Sequence, residues 1–352
     1  MISRPRRAVI LAEGSLGSLT GKTTNILIMY NNRKFNVVAV IDSNNAHKDA
    51  GEVIGIGKVG IPVVKDLNEA MSYSPEVLII GIATVGGTLP KEYRKVIADA
   101  ITKGLDIWNG LHYFLGDDPE FSELARKCNV RIYDVRKPPR DRLRIWSGDV
   151  LRTNCARILV AGTDCVVGKN VTVLELEEGL RRKGYNPGIV ATGQTLILAG
   201  AHAGAVIDAI PSDFCPGVVE QLILDLDDNG FNPVIVEGQA SVLHPAYGQV
   251  ALSILYGSMP NLIVLAHDPW RRVRDEINVP MEPLKKEIKA LEFLCPTAKV
   301  VAISIMGYRR SDTEVLEMCE ALESELNLPV ADPRRDRDKL VDAINKILRK
   351  FQ

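Results

Sequence analysis

No apolar run in the sequence approaches the ~18 residues that a membrane-spanning helix requires. The net charge is −1, and no dense basic patch with interleaved aromatic residues is present, so a nucleic-acid partner is not indicated. Six scattered cysteines form no Cys-x-x-Cys pair, which indicates neither a disulfide framework nor a zinc site. The N-terminal segment VILAEG is too short and too acidic for a signal sequence, so we expect a cytoplasmic protein.

Short apolar runs alternate with helical patterns along the whole chain, which is typical of parallel βαβ units. With 352 residues, the chain is long enough for two domains. The proline- and charge-rich segment RKPPRDRLRIWSGD interrupts the alternation and predicts a boundary near residue 150. We therefore predict an α/β protein with a Rossmann-like domain at 1–150. Residues 151–352 are expected to form a P-loop NTPase-like domain on a doubly wound parallel sheet.

The segment from Ile158 to Asn170, ILVAGTDCVVGKN, has the order of a phosphate-binding loop. A buried strand leads into a Gly-Lys loop, and a helical pattern follows. Main-chain N–H groups of such a loop, the positive end of the helix and the lysine all attract an anion. Six residues of this segment and two of the turn after the next strand are the predicted cofactor contacts: Gly162, Thr163, Asp164, Gly168, Lys169, Asn170, Gly193 and Gln194.

The loop departs from the usual phosphate-loop pattern in two ways. Five residues, instead of four, separate Gly162 from Gly168, and Asn170 replaces the serine or threonine after the lysine. That hydroxyl normally contacts Mg²⁺, so magnesium is possible here but not required by the pattern. A tight turn with a solvated lysine remains the structural alternative.

Polar residues at other strand ends are the candidate catalytic groups, since ligands bind at the carboxyl ends of parallel strands. Glu237 ends the strand NPVIVEGQ, where an acid can hold Mg²⁺ or position a water molecule. His267 ends IVLAHD, and His244 lies in VLHPAYG. Each histidine is a candidate acid or base, although a single histidine is more often structural.

A second Gly-Lys pair, Gly21-Lys22, lies in GSLGSLTGKTT near the N-terminus. The preceding glycines, Gly14 and Gly17, have the wrong spacing for a phosphate loop, and no G-x-G-x-x-G is present. The segment can still bind an anion at a helix N-terminus. Asp42 ends the next strand, at the position of a ribose-binding acid in dinucleotide folds.

The loop GTDCVVGKN resembles the GTDT-x-VGKT loop of dethiobiotin synthetase, and VEGQAS resembles that enzyme's VEGAGG segment. The resemblance implies that Gly168 and Lys169 hold phosphates and that Glu237 helps to hold Mg²⁺. Asn170 departs from the pattern, and ATGQT stands where that family has a lysine-containing substrate strand.

A second resemblance covers nearly the whole chain. GTDC-x-x-GK, ATGQT, SDF-x-x-G-x-VE, VEGQ-S-x-x-HPAY and a late DP-x-R resemble a two-domain family, numbered 1611 among the domains of unknown function. Its characterised type is D-glutamate N-acetyltransferase. The resemblance implies transfer of an acetyl group from acetyl-CoA to the amine of a D-amino acid. The loop would then hold the diphosphate of CoA.

Two functions therefore remain open at this stage. The first is N-acyl transfer, with acetyl-CoA as cofactor and Glu237, His244 or His267 as the base. The second is an ATP- and magnesium-dependent ligase or kinase that acts on a small carboxylate, with Lys169 neutralising the developing charge. Both use a small-molecule substrate, and we expect a homo-oligomer with no membrane or nucleic-acid partner.

Overall fold

The computed structural model describes residues 4–18, 20–82, 89–275 and 277–349. The chain divides into two compact units, Met1–Lys137 with Gln194–Gly200, and Pro138–Gly193 with Ala201–Gln352. Compact units need not coincide with independently folding domains, so the boundary near residue 150 stays a prediction. No helix in the described ranges combines the length and the apolar character that a membrane span requires.

The first unit is built on a parallel sheet. Its strands are β1 (Arg6–Leu11), β2 (Phe35–Ile41), β3 (Val63–Val64), β4 (Val77–Ile80), β5 (Asp106–Asn109) and β6 (Ile132–Asp134). Their order is β3-β2-β1-β4-β5-β6, which is the strand order of a Rossmann fold. The apolar segment EVLIIGIA in the sequence predicts a strand, and its last residue, Ala83, lies outside the described residues.

Among the described residues of this part of the chain, the α-helices are α1 (Lys22–Met29), α2 (Ala50–Val53), α3 (Leu67–Met71), α4 (Lys91–Thr102) and α5 (Pro119–Cys128). Helix α4 buries Tyr93, Ile97 and Ile101 at helical spacing against the sheet. The helix is followed by a glycine cap, in which Gly104 has a φ of 84° and its N–H bonds the carbonyl of Ile101.

The second unit has a larger parallel sheet. Its strands are β7 (Arg157–Gly162), β8 (Gly188–Ala191), β9 (Ala203–Gly204), β10 (Val234–Glu237), β11 (Leu262–His267), β12 (Lys299–Ile305) and β13 (Val330–Ala331). The order is β13-β12-β11-β7-β10-β8-β9. The strands that follow β7 lie on both sides of it, so its carboxyl end is a topological switch point, where ligands bind in such sheets.

In the described residues of this half of the chain, the α-helices are α6 (Lys169–Arg182), α7 (Gln194–Ala199), α8 (Cys215–Asp228), α9 (Gly248–Ser258), α10 (Leu284–Leu294), α11 (Asp312–Leu326) and α12 (Arg337–Leu348). Helix α7 belongs to the first unit. The predicted fold class, Rossmann-like followed by a P-loop-type parallel sheet, is confirmed. Helices α7 and α9 and the two-residue strands β9 and β13 were not predicted.

Candidate phosphate-binding site

The loop of residues 163–168 joins the fully buried strand β7 to helix α6, which begins at Lys169. Two of its residues have left-handed backbone conformations, Val166 with φ 51° and Gly168 with φ 94°. Glycine adopts such angles readily, but a β-branched residue does so only at a cost of ~1–3 kcal/mol. Strain of this kind persists where the surroundings enforce a particular backbone shape.

The strained backbone leaves donors available at the start of α6. Among the described residues, no acceptor is hydrogen-bonded to the main-chain N–H groups of Val166, Val167 or Gly168. Successive N–H groups beside left-handed residues form a concave nest for anions, and the helix N-terminus adds partial positive charge. The predicted strand, loop and helix thus produce a main-chain anion cradle.

Lys169 adds a full positive charge to the cradle. Its side chain folds back over the loop, where Nζ donates to the carbonyl oxygen of Asp164 at 2.7 Å. Gly162 makes this path possible, because a Cβ there would lie 2.8 Å from Nζ and 2.9 Å from Cδ of the lysine. Gly162 and Lys169 therefore depend on each other for their positions.

The side chains of Thr163 and Asp164 are turned into the protein. The hydroxyl of Thr163 lies 2.9 Å from Nδ1 of His267. Oδ2 of Asp164 accepts from Nη1 of Arg271 at 2.9 Å and from the main-chain N–H of Asp275 at 2.7 Å. Both residues were predicted to contact a cofactor. The main-chain N–H of Thr163 is bonded to the carbonyl of Ala266 at 3.0 Å, so of the two residues it is Asp164 whose main-chain N–H can face a ligand.

His244 is buried beside the loop, and its ring orientation is set by the main chain. Nδ1 accepts from the N–H groups of Ala246 and Tyr247, each at 3.2 Å. A neutral ring then carries its proton on Nε2, which faces Oδ1 of Asp164 at 3.4 Å. Neither nitrogen is arranged to receive a proton from a substrate.

Among the described residues, Asp164 and His244 belong to a cluster of side chains that could bind a metal ion. One donor atom each from Asp164, Cys165 and His244 lies within 4.8 Å of the others. A metal on Nε2 of His244 would have to displace the ring proton while Nδ1 still accepts two N–H groups. The cluster is therefore better explained as a hydrogen-bonded support of the loop, and we assign no metal to it.

His267 ends β11, as predicted, and is almost fully buried. Burial, together with the charges of Arg271 and Arg272, lowers the pKa of His267 from 6.5 to about 4. The ring is therefore neutral at neutral pH and is a weaker base than an ordinary histidine.

Glu237 and Gly193 come from different strand ends and meet in the structure. Oε2 of Glu237 accepts from the N–H groups of Thr192 at 2.8 Å and Gly193 at 3.1 Å. The amide of Gln239 donates to the carbonyl of Thr192 at 2.6 Å. Gln194, predicted together with Gly193, belongs to the first unit, where its Oε1 accepts from Arg136 at 2.7 Å.

The residues around the loop do not offer the usual ligands for magnesium. Asn170 replaces the hydroxyl residue, and the hydroxyl of Thr172 is engaged with the carbonyl of Gly168 at 3.0 Å and with Ser304 at 2.7 Å. We therefore route no chemical step through magnesium.

Two arginines contact the loop, and these contacts were not predicted from the sequence. Arg271 donates to the carbonyls of Cys165 and Val166, and Arg274 donates to the carbonyl of Thr163. Both lie just after β11, in the segment DPWRRVRDE. Three arginines directly after a strand end were the available signal, but only the folded chain reveals which of them reach the loop.

Fold and site together define a P-loop protein with a Rossmann-like N-terminal part. The chain belongs to the DUF1611 family: residues 144–341 match its P-loop domain, and residues 43–138 match its Rossmann-like domain, both described as domains of unknown function. The family resemblance identified from the sequence is thereby confirmed.

Two curated relatives are named D-glutamate N-acetyltransferase. The protein from Tritonibacter scottomollicae is 32% identical over 284 residues, covering 79% of this chain and 84% of the relative. The protein from Pseudoalteromonas sp is 32% identical over 273 residues, covering 76% and 80%. The crystal structure of a DUF1611 protein from Anabaena variabilis matches with a TM-score of 0.90 and 33% identity, over 97% of this chain and 99% of that one.

Proposed function

We propose that this protein transfers the acetyl group of acetyl-CoA to the amino group of a D-amino acid, with D-glutamate as the first candidate. The main structural support for this proposal is the anion cradle at Val166–Gly168 with Lys169. The surroundings of this loop lack the hydroxyl group that usually holds magnesium. The names of the two curated relatives supply the reaction class.

The diphosphate of CoA suits this cradle. It carries negative charge but is not cleaved in acyl transfer, so main-chain N–H groups and one lysine are sufficient to hold it. Phosphoryl transfer from ATP additionally needs a metal to neutralise the developing charge. Asn170 and the engaged hydroxyl of Thr172 therefore favour CoA over the ATP-dependent ligase or kinase.

Charge at the carboxyl edge of the second sheet suggests how CoA would lie. On the side of β12 and β13, the exposed arginines Arg309 and Arg334 follow the strand ends. On the side of β10, β8 and β9, the acids Asp208 and Asp213 follow β9, and Glu237 ends β10. We place the phosphate-bearing adenosine end on the arginine side and the substrate ammonium on the acidic side.

The chemistry then needs a base on the acidic side. A proton leaves the substrate ammonium, the amine attacks the thioester carbonyl, a C–N bond forms and the C–S bond breaks. The CoA thiolate leaves and takes up a proton. We assign the base to Glu237, because burial weakens His267 as a base and both ring nitrogens of His244 face protein groups.

The test uses purified protein with D-glutamate and acetyl-CoA, and in a second arm with D-glutamate, ATP and Mg²⁺. We expect thiol release without ATP and a product heavier by one acetyl group. L-Glutamate is the matched control for chirality. ADP formation without thiol release would overturn the proposal and favour the ligase or kinase.

A Glu237→Gln variant tests the assigned base. Loss of a general base typically lowers kcat by ~10²–10⁴-fold, while CoA affinity should stay near that of the wild type. A kcat within about threefold of the wild type would contradict the assignment.

A further inference from the structure

We infer that Arg271 is a positioning residue that holds the loop of residues 163–168 in its anion-binding form, with Arg274 as its buried partner. Both arginines lie in the segment 268–275, which follows β11 and which we call the strap. The inference rests on the proposed binding of CoA, and it concerns residues that do not themselves touch the ligand.

The guanidinium of Arg271 spans the two peptide groups that flank Val166. Nη1 donates to the carbonyl of Cys165 at 2.6 Å, and Nη2 donates to the carbonyl of Val166 at 3.2 Å. In a trans peptide group the C=O of one residue and the N–H of the next point in opposite directions. The N–H groups of Val166 and Val167 therefore point away from Arg271, into the cradle.

The same two contacts account for the strained backbone. Fixing the peptide groups on both sides of Val166 fixes its φ and ψ angles, and its observed φ is 51°. A valine would leave this left-handed conformation if the peptide groups could rotate. The fork of Arg271 therefore maintains the conformation that exposes two consecutive donors to the anion.

Arg274 supports the beginning of the loop. Its side chain is 1% exposed, and Nη1 donates to the carbonyl of Thr163 at 3.0 Å, which directs the N–H of Asp164 to the other side. Nη2 bonds the carbonyl of Leu243 at 3.3 Å and Oε1 of Glu287 at 3.4 Å. These contacts anchor the strap to α10.

The side chain of Asp164 adds a further connection between the loop and the strap. Its fully buried carboxylate accepts from Arg271 and from the N–H of Asp275, so donors of the strap hold this side chain as well as the loop carbonyls. Buried charges are costly to desolvate unless they are paired. A loop needed only as a turn would not require this arrangement, whereas a preformed anion cradle does.

The test compares two acetyl donors with D-glutamate as acceptor: acetyl-CoA, and S-acetyl-N-acetylcysteamine, which has the thioester but no diphosphate. We expect Arg271→Gln to lower kcat/KM for acetyl-CoA by ~10–100-fold, the loss typical of a charge-assisted hydrogen bond. For the short donor we expect a change below about threefold. Arg271→Lys should fall between, because an ammonium lacks the fork that reaches both carbonyls.

Arg272→Gln is the matched control, because it removes the same charge from the neighbouring exposed position of the strap. Its kcat/KM should equal that of the wild type for both donors. Equal losses of Arg271→Gln on the two donors, with a lowered thermal midpoint, would overturn the inference in favour of a merely structural role. Unchanged kinetics with both donors would also overturn it.

Calorimetric titration with inorganic pyrophosphate separates this inference from the proposed function. If the wild type binds pyrophosphate and Arg271→Gln binds it ~10-fold or more weakly, the inference holds even if no acetyl transfer is found. If the two proteins bind it equally, or if the wild type does not bind it, the inference fails.

Discussion

Two loops in this chain present a Gly-Lys pair at the start of a helix, and their hydrogen bonds differ. Gly21-Lys22 begins α1 after β1, and Gly168-Lys169 begins α6 after β7. We call the segment 12–21 the first loop and the segment 163–168 the second loop. The two motifs look alike in the sequence, but their main-chain N–H groups differ in their hydrogen-bond partners.

Most of the described main-chain donors of the first loop are bonded to the protein. The N–H of Gly14 bonds Asp42 at 3.2 Å, and that of Gly17 bonds Asn25 at 3.2 Å. Further donors of this loop are bonded within it: Ser15 to Ala12, Ser18 to Ser15, and Gly21 to Ser18. Asp42, at the position expected for a ribose contact, is buried and also accepts from Asn44 and Asn45.

In the second loop, main-chain carbonyl groups accept hydrogen bonds from residues outside the loop. Arg271 and Arg274 bond the carbonyls of Thr163, Cys165 and Val166, and the following N–H groups turn to the opposite side. A Gly-Lys pair before a helix therefore does not by itself define a phosphate site. The protein groups that hydrogen-bond to the loop determine whether its main-chain N–H groups are already bonded or can bind an anion.

Replacing the lysine of each loop should reveal the largest difference between the two loops. Lys169→Ala should weaken CoA binding about 100-fold, because a charge-assisted contact to phosphate contributes ~1.5–3 kcal/mol. Lys22→Ala should leave the affinity within about twofold. Isothermal titration measures both values. Equal losses in the two variants, or none in either, would refute the distinction between the loops.

A methyl group at Gly162 tests the path of the lysine. Gly162→Ala places a Cβ 2.8 Å from both Nζ of Lys169 and the carbonyl of Ala240, so the lysine must move. We expect CoA affinity to fall about 10- to 30-fold, since one charged contact is displaced but not removed. Circular dichroism and thermal unfolding report whether the fold is kept. Wild-type affinity in a folded variant would show that the lysine position does not matter.

His267, which contacts Thr163 at the start of the second loop, predicts a pH dependence of the free energy of unfolding. The pKa of His267 is lowered from 6.5 to about 4 on folding, so the unfolded chain binds a proton between these values and the folded chain does not. Stability from this residue is therefore lost as pH falls through that window. The stability of the wild type relative to His267→Gln should fall by about 2 kcal/mol from pH 7 to pH 5.

Urea unfolding of both proteins at the two pH values measures this difference, and effects common to both proteins cancel. A difference that is independent of pH would mean that His267 titrates alike in the folded and unfolded states.

The smallest expected effect concerns the arginines beside the second loop. If Arg309 and Arg334 meet the adenosine end, the wild type should bind CoA about tenfold more tightly than dephospho-CoA, which lacks only the 3′-phosphate. Arg309→Gln and Arg334→Gln should reduce this ratio and leave the affinity for dephospho-CoA nearly unchanged. A ratio near one in the wild type would contradict the placement.

The fold was predictable because buried parallel strands are visible as apolar runs. The five longer strands of the second sheet, such as β7 and β11, were identified in this way. Helix α9, with the sequence GQVALSILYGS, is apolar on most faces and shows no clear period. The strands β9 and β13 have two residues each, too few for any pattern.

The surroundings of the candidate site were less predictable. Lys169, Glu237 and His267 could be proposed because they follow strands whose ends share one sheet edge. The ring orientation of His244 depends on the N–H groups of Ala246 and Tyr247, which no residue pattern reveals. The contacts of Arg271 join residues more than 100 positions apart, so they exist only in the folded chain.

The central claim is that the second loop holds the diphosphate of CoA. Its most direct test is a titration of CoA into the wild-type protein, with and without saturating inorganic pyrophosphate. We predict that pyrophosphate competes with CoA and raises its apparent Kd in proportion to the pyrophosphate concentration. CoA binding that pyrophosphate leaves unchanged would contradict the claim.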